Sequence, residues 1–259
     1  MKAGIDDIFN NANDLKGEII MFFSVITVCY NCKSAIERTI QSVLDQSMTD
    51  YEYIIIDGAS KDGTTEIANK YTECGHHIIL ISEPDNGIYD AMNKGVKLSS
   101  GRYIFFLNAG DLFHSKTILE DVKKIIEKEQ KDIYYGDVCK DGFRIRQNKG
   151  ITMFGMIYLE DMLCHQSIFA KANQCKMHPF NTDFRICADR DWLIQIIKEK
   201  ASIQYMPNVV VSDYDTTGVS SNISVYQGDS LNVVQKHGGN TAVFFVKMKR
   251  FIGRIIGHK

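Results

Sequence analysis

Two periodicities alternate along the first half of this chain. Phe23 to Cys29 is an unbroken β-branched and aromatic run, which predicts a buried strand. Ile36, Ile40, Val43 and Leu44 then recur at helical spacing, which predicts a helix over 34–46. Residues 53–57 predict a second strand, 63–71 a helix capped by Asp62, and 77–81 a third strand. Residues 88–98 predict a helix ended by Ser99, Ser100 and Gly101, and 102–107 a fourth strand. Strands separated by helices at this spacing imply an α/β fold with a mostly parallel sheet covered by helices on both faces.

The second half is less regular. Residues 133–138 and 143–146 predict a strand pair turning at Asp141 and Gly142. Residues 165–170 and 209–211 predict further strands, and 189–199 a helix. Thr216 to Ser221 predicts a mobile loop. No internal repeat and no low-complexity segment is visible.

Polar residues collect just after the predicted strands: Tyr30 and Asn31, Asp57 to Ser60, Glu83 to Gly87, and Asn108 to Asp111. Ligands bind at the carboxyl ends of the strands in open α/β sheets. Four such loops on one edge predict a site there.

The chain has 259 residues, 44% apolar and 24% charged, enough for one large domain. Seven scattered cysteines, with one Cys-x-x-Cys at Cys29 and Cys32, predict reduced and mostly buried thiols. No signal peptide is visible, and the longest apolar run, near 19–30, is too short to span a bilayer. These features predict a cytoplasmic protein. The net charge of −2 is uneven: residues 241–259 carry +5, which leaves −7 on the other 240. That asymmetry predicts a basic tail with its own partner.

Val25 to Asn31, Ile56 to Thr64, Asp85 to Gly95 and Gly101 to Asp111 occur in an order and spacing that resemble the family 2 glycosyltransferases. The resemblance covers roughly residues 22–200. Variants at Asn108 to Asp111, at Cys164 to Gln166 and at Ala188 to Trp192 are most similar to bacterial capsule, colanic-acid and O-antigen polysaccharide enzymes. The resemblance implies a GT-A (Rossmann-like) fold and an inverting hexosyltransferase activity. It implies a nucleotide-sugar donor, UDP-linked, a glycan or lipid-linked acceptor, and Mn²⁺ or Mg²⁺ as cofactor. No nucleic-acid partner is expected. The expected domains are an N-terminal extension over 1–21, a transferase domain over 22–222 and a C-terminal helical region over 223–259.

Transfer from a nucleotide sugar poses two electrostatic problems. Negative charge gathers on the leaving diphosphate, and the acceptor hydroxyl must lose a proton. A cation held by carboxylate addresses the first, and a positioned carboxylate the second. Asp111 is the metal candidate, at the position of the family's Asp-x-Asp region. Asn108 and Gly110 stand where many relatives carry aspartates, so a single-carboxylate site completed by donor diphosphate is expected. Asn108 could accept a bond from ribose or ligate through its carbonyl. The bland reading of Asp111 is a cap for a helix starting near Ser115. The resemblance assigns Asp57 to the nucleobase, Thr27 and Tyr30 to the nucleoside pocket, and Asp85, Asp90 and Asn93 to the sugar-diphosphate pocket. It assigns the general base to Asp189, with Asp191 as runner-up in first-turn position on a helix. A catalytic role for His165 is weighed against a structural one. No enzyme nucleophile is invoked, since a single inverting displacement needs none.

The Asn108 to Asp111 departure also keeps a non-catalytic nucleotide-sugar-binding protein open. A nucleotidyltransferase would want a Gly-rich basic loop after the first strand, which residues 30–34 lack. Phe244, Phe245, Met248, Phe251, Ile252, Ile255 and Ile256 recur at helical spacing beside Lys247, Arg250 and Arg254. Residues 241–257 therefore read as a basic amphipathic helix on an anionic membrane surface, peripheral to the inner face of the cell membrane. The alternative is a terminal helix docked on the body or on a second subunit.

Overall fold

A computed structural model describes residues 21–73, 78–215 and 223–256; of residues 223, 224, 255 and 256 only the backbone is described. The N-terminal extension, the loop over 216–221 and the side chains of Ile255 and Ile256 lie outside the described residues.

Four strands build the first half: β1 (Phe23–Cys29), β2 (Tyr51–Asp57), β3 (Ile78–Ser82) and β4 (Tyr103–Phe106). They alternate with α1 (Lys33–Leu44), α2 (Thr64–Glu73) and α3 (Ile88–Leu98). All pairings among these four strands are parallel, in the order β3-β2-β1-β4. The register sets Cys29 beside Asp57 and Asp57 beside Ser82, so the carboxyl ends line up along one edge.

Beyond β4 the sheet becomes mixed. After β5 (Leu112–Phe113) and α4 (Ile118–Lys128) come β6 (Ile133–Lys140), β7 (Phe143–Ile145), β8 (Ile168–Lys171) and β9 (Ile203–Asp213). The full order is β3-β2-β1-β4-β8-β6-β9-β5, with β7 paired to β6. Strand β8 runs antiparallel to both β4 and β6, whereas β6 and β9 are parallel. Two parallel runs thus meet across one antiparallel strand. The run predicted as a strand from 165 begins instead as a 3₁₀ turn, His165–Ser167, before β8.

The sheet divides the core by its period-two alternation. Phe23, Val25, Tyr53, Ile55, Tyr103 and Phe105 face α1, α2 and α4. Ile26, Val28, Ile54, Ile56, Ile104 and Phe106 face α3 and two later helices, α6 (Ala188–Lys198) and α7 (Ile223–Ile256). A short α5 (Ala172–Met177) precedes them. Helix α4 answers to the helix expected from near Ser115, and it begins at Ile118, seven residues past Asp111. Its Ile118, Leu119, Val122 and Ile126 are all buried on one face.

Helix α7 breaks at Gly239, where φ is 69°. Helix α7 packs against the body. Its Val233, Val234, Ala242 and Val246 are fully buried in the core shared with α6. Asp229 on α7 accepts from the backbone N–H groups of Ile186 (2.7 Å) and Cys187 (3.1 Å), just ahead of α6. Buried Arg190 donates to the Met156 carbonyl and to Ser230 on α7. Arg250 closes the network through Glu160.

Candidate active site

Along the carboxyl edge of β1 to β4, the sheet delivers each predicted donor-side residue to a defined place. Asp57 ends β2 with its side chain out of solvent. It accepts from Ser82 Oγ (2.6 Å), Thr65 Oγ1 (2.7 Å), the Ser60 N–H (3.1 Å) and the Ser60 hydroxyl. Burial opposes its charge, but these bonds outweigh it and hold the carboxyl below its ordinary value. Asp57 is thus the organiser of its loop as well as the residue assigned to the base. The Tyr30 ring is exposed and stands beside Gly58, and a Cβ at Gly58 would collide with the Asp85 carboxylate. Asp85 Oδ1 in turn accepts from the Gly87 N–H at 2.9 Å. Tyr30, Gly58 and Asp85 therefore form one rim of the cleft.

Other assigned residues face differently. The Thr27 side chain is fully buried; its hydroxyl donates to the Leu107 carbonyl (2.7 Å) and pairs with Tyr53 (3.0 Å). It supports the floor under the pocket instead of lining it. Asn93 clamps the Phe180 backbone from both sides, at 2.8 and 2.9 Å, tying α3 to the 180 segment. Asp90 accepts from the Asn86 N–H and lies 3.8 Å from Lys94. Asp62 holds the start of α2 through Thr64 and accepts from the Lys33 N–H.

The turn after β4 is built for a tight approach. Gly110 has φ 108°, a region where only glycine is at ease. Its N–H donates to Thr39 on α1, which donates to the Asp111 carbonyl. Asp111 is nearly buried, and its Oδ1 accepts from the Asp215 N–H at 2.8 Å. Burial pushes its carboxyl up to about 6, only partly offset by that bond, by His165 and by Gln166. Beside it, the Asn108 Oδ1 is buried without a hydrogen-bond partner. A buried carboxylate next to an orphaned amide oxygen is a donor set that a hard divalent cation would complete. Among the described residues, Asp111 belongs to no cluster of three His, Cys or acidic ligands; His114, Cys139 and Asp213 form one.

The two acids of α6 separate. Asp191 faces α7: its carboxylate lies 2.7 Å from His237 Nε2, 2.8 Å from Lys236 Nζ and 2.8 Å from Gln195. Burial opposes its charge, but His237 and Lys236 hold the carboxyl below its ordinary value. Every oxygen is engaged inside the α6–α7 packing, so the runner-up base is a structural acid. Asp189 points the other way. It is 3% exposed, accepts from the Arg190 N–H at 2.8 Å and lies 3.5 Å from His165 Nδ1. His165 Nε2 is in turn 2.9 Å from Asn108 Nδ2. Trp192 packs on Phe180 inside the core.

One connected set thus runs from Asp111 and Asn108 through His165 to Asp189. Sequence reading placed its two ends but left His165 open. The signal was present in its position ahead of the eighth strand, yet periodicity cannot show which groups a ring nitrogen meets.

The profile of Glycosyl transferase family 2 matches residues 24–184. A "PGL/p-HBAD biosynthesis glycosyltransferase" of Mycobacterium bovis (strain BCG / Pasteur 1173P2) is 32% identical over 206 residues, covering 78% of this chain and 80% of the relative. The "Putative teichuronic acid biosynthesis glycosyltransferase TuaG" of Bacillus subtilis (strain 168) is 36% identical over 106 residues, 40% of this chain and 42% of the relative. Among solved structures, S. aureus TarS 1-349 in complex with UDP-GlcNAc superposes with a TM-score of 0.68 at 18% identity. That match covers 84% of this chain and 66% of the other. The same protein with UDP gives 0.66, and this chain spans 65% of it. The mannosyltransferase PcManGT from Pyrobaculum calidifontis, with GDP-Man and Mn²⁺, gives 0.65 at 16% identity over 84% of this chain and 64% of the other. At such identities the structural likeness shows the shared fold alone.

Proposed function

From the premise that this chain belongs to glycosyl transferase family 2 and is a glycosyltransferase, we propose that it moves a sugar from a UDP-linked donor to a glycan or lipid-linked acceptor, with inversion at the anomeric carbon. Membership sets aside the non-catalytic and nucleotidyltransferase alternatives. The observation that carries the reading is the convergence of Asp111, Asn108, His165 and Asp189 from three separate stretches of chain.

Each side of the cleft then has a task. Tyr30 offers its exposed ring to the nucleoside as a stacking face, Asp57 braces the loop beneath it, and Asp85 lines the sugar-diphosphate side. Asp111, with the Asn108 carbonyl, would hold Mn²⁺ or Mg²⁺, which when bound supplies positive charge for the leaving diphosphate. Asp189 accepts the proton of the acceptor hydroxyl. Its Oδ1 is held by the Arg190 N–H, and its Oδ2 faces His165 Nδ1 at 3.5 Å. Asp191, Lys236 and His237 keep α6 in register so that Asp189 stays aimed.

The nature of the acceptor draws support from α7. Phe244, Phe245, Met248, Phe251 and Ile252 are exposed, joined by Phe154 and Leu159 from the turn beneath. Lys247, Arg250 and Arg254 line a shallow cleft beside Phe251. Among the described residues no helix is long and apolar enough to cross a membrane. This basic, aromatic face suits docking on an anionic lipid surface, where a lipid-linked acceptor of cell-surface polysaccharide synthesis would be met.

Nucleotide release tests the site. Parent, Asp111→Ala and Asp189→Asn are compared for UDP release from UDP-sugars with acceptor and Mn²⁺ or Mg²⁺. Loss of a proton-accepting carboxylate should lower kcat by roughly 10²–10⁴-fold. If both variants release UDP like the parent, the assignment is wrong.

A further inference from the structure

His165 does more than fill a gap between two loops. The residues on either side of it are held in place. Cys164 accepts from Ser167 through both its N–H (2.9 Å) and its hydroxyl (2.7 Å), and the Cys164 N–H donates to Gln147 at 3.1 Å. Ser212 on β9 donates to the Gln166 carbonyl at 2.7 Å. The ring therefore projects from a rigid turn. Its side chain is 21% exposed, against 4% for Asp189.

The hydrogen-bond pattern assigns the ring proton. Asn108 turns its Nδ2 toward His165 Nε2 at 2.9 Å. With the Asn108 amide in this orientation Nε2 accepts, and a neutral ring then carries its proton on Nδ1. Nδ1 faces Asp189 Oδ2 at 3.5 Å, a distance that can shorten when substrate closes the site. Tyr89 also approaches this acid, 3.4 Å from Oδ1. Its single hydroxyl proton is donated to the Ile186 carbonyl, at a shorter distance. Tyr89 thus meets Oδ1, not Oδ2, and its proton is shared with the Ile186 carbonyl. His165 Nδ1 instead faces Oδ2, the oxygen proposed to take the acceptor's proton.

We propose that His165 is a positioning residue for Asp189: Asn108 fixes the ring with its N–H toward the acid, and that N–H aims Oδ2 at the acceptor hydroxyl. The same ring ties the acid to the Asn108–Asp111 turn, so base and donor-phosphate side keep one spacing. The inference rests on Asp189 being the base.

The experiment compares the full-length protein with His165→Leu, His165→Asn, Asp189→Asn and the double variant His165→Leu/Asp189→Asn. Asparagine places an amide N–H near the position of Nδ1, whereas leucine keeps bulk without a donor. A hydrogen bond to a charged group is worth enough to predict a kcat loss of about 10–100-fold in His165→Leu. Donor KM should stay within about threefold, because the ring does not carry the diphosphate. His165→Asn should recover much of kcat, and His165→Leu should cost nothing further in the Asp189→Asn background. An unchanged kcat in folded His165→Leu, or equal losses in the leucine and asparagine variants, overturns the proposal. If Asp189→Asn is as active as the parent, the base assignment falls first, and the two failures are told apart. Should the variants not fold, ¹⁵N spectra of the histidines in the unaltered protein decide. A proton on Nε2 of neutral His165, not on Nδ1, overturns the proposal.

Discussion

Replacing Asp111 by asparagine should make the metal-free protein more stable while disabling it. The carboxyl is 4% exposed, and burial raises it from an ordinary 3.8 to about 6. At about 1.4 kcal/mol per pH unit, that difference corresponds to roughly 3 kcal/mol. Its sign follows from proton binding. Between about pH 4 and pH 6 the folded protein holds a proton that the unfolded chain has released. The contribution of Asp111 is therefore present below pH 4 and is lost as pH rises through 6. Above pH 6 the native state carries the full cost of a buried charge. Asparagine has the same shape, and its amide oxygen can still accept from the Asp215 N–H. Urea denaturation in chelator, at intervals from pH 4 to pH 8, is the assay. Asp111→Asn should match the parent near pH 4 and exceed it by up to roughly 3 kcal/mol above pH 6. For a chain of this size that is roughly 5–10 °C in Tm. With UDP and Mn²⁺ the order should reverse, since ligand binding stabilises only a competent site. A stability difference that does not vary with pH, or a variant weaker than the parent at pH 7.5, refutes the reasoning.

Two further outcomes are expected. Asp191→Ala should lose roughly 2–3 kcal/mol in denaturant titrations, less than the 3–5 kcal/mol of a fully enclosed pair, because Lys236 keeps 41% of its side chain in water. Its kcat at a temperature where it stays folded should remain within a few-fold of the parent, in contrast to Asp189→Asn; a loss as deep as that of Asp189→Asn without unfolding would restore Asp191 as the base. Phe244, Phe245 and Phe251 replaced together by serine should abolish sedimentation with vesicles containing about 30% anionic lipid while leaving Tm nearly unchanged. Unchanged sedimentation would sink the membrane reading. A truncation at 240 is a poorer test, since it also removes buried Val246 and the Arg250–Glu160 pair.

The chain's pattern fixed its first half. Seven elements from Phe23 to Phe106 follow from runs of β-branched residues and helical repeats, because every one is apolar along a single face or along both. The loops that gather at the carboxyl edge were legible for the same reason: polar residues ending apolar strands have nowhere else to go. Pattern was silent where burial does not follow polarity. In α6 every residue from Ala188 to Ile194 is buried, charges included, so no polar face tells Asp189 from Asp191. Two residues apart on a helix, they point nearly opposite ways, and only the packing of α7 shows which is tied down by Lys236 and His237. Thr27 is similar: strand alternation places it on a face, but the contact with Tyr53 and Leu107 turns it inward. His165 and Asn108 lie 57 positions apart and owe their meeting to β8, which runs antiparallel beside β4. The sequence by itself determined the kinds of chemistry this protein can bring to one edge of a sheet. Which acid is free to act, and which ring aims it, was decided by long-range packing that no local period encodes.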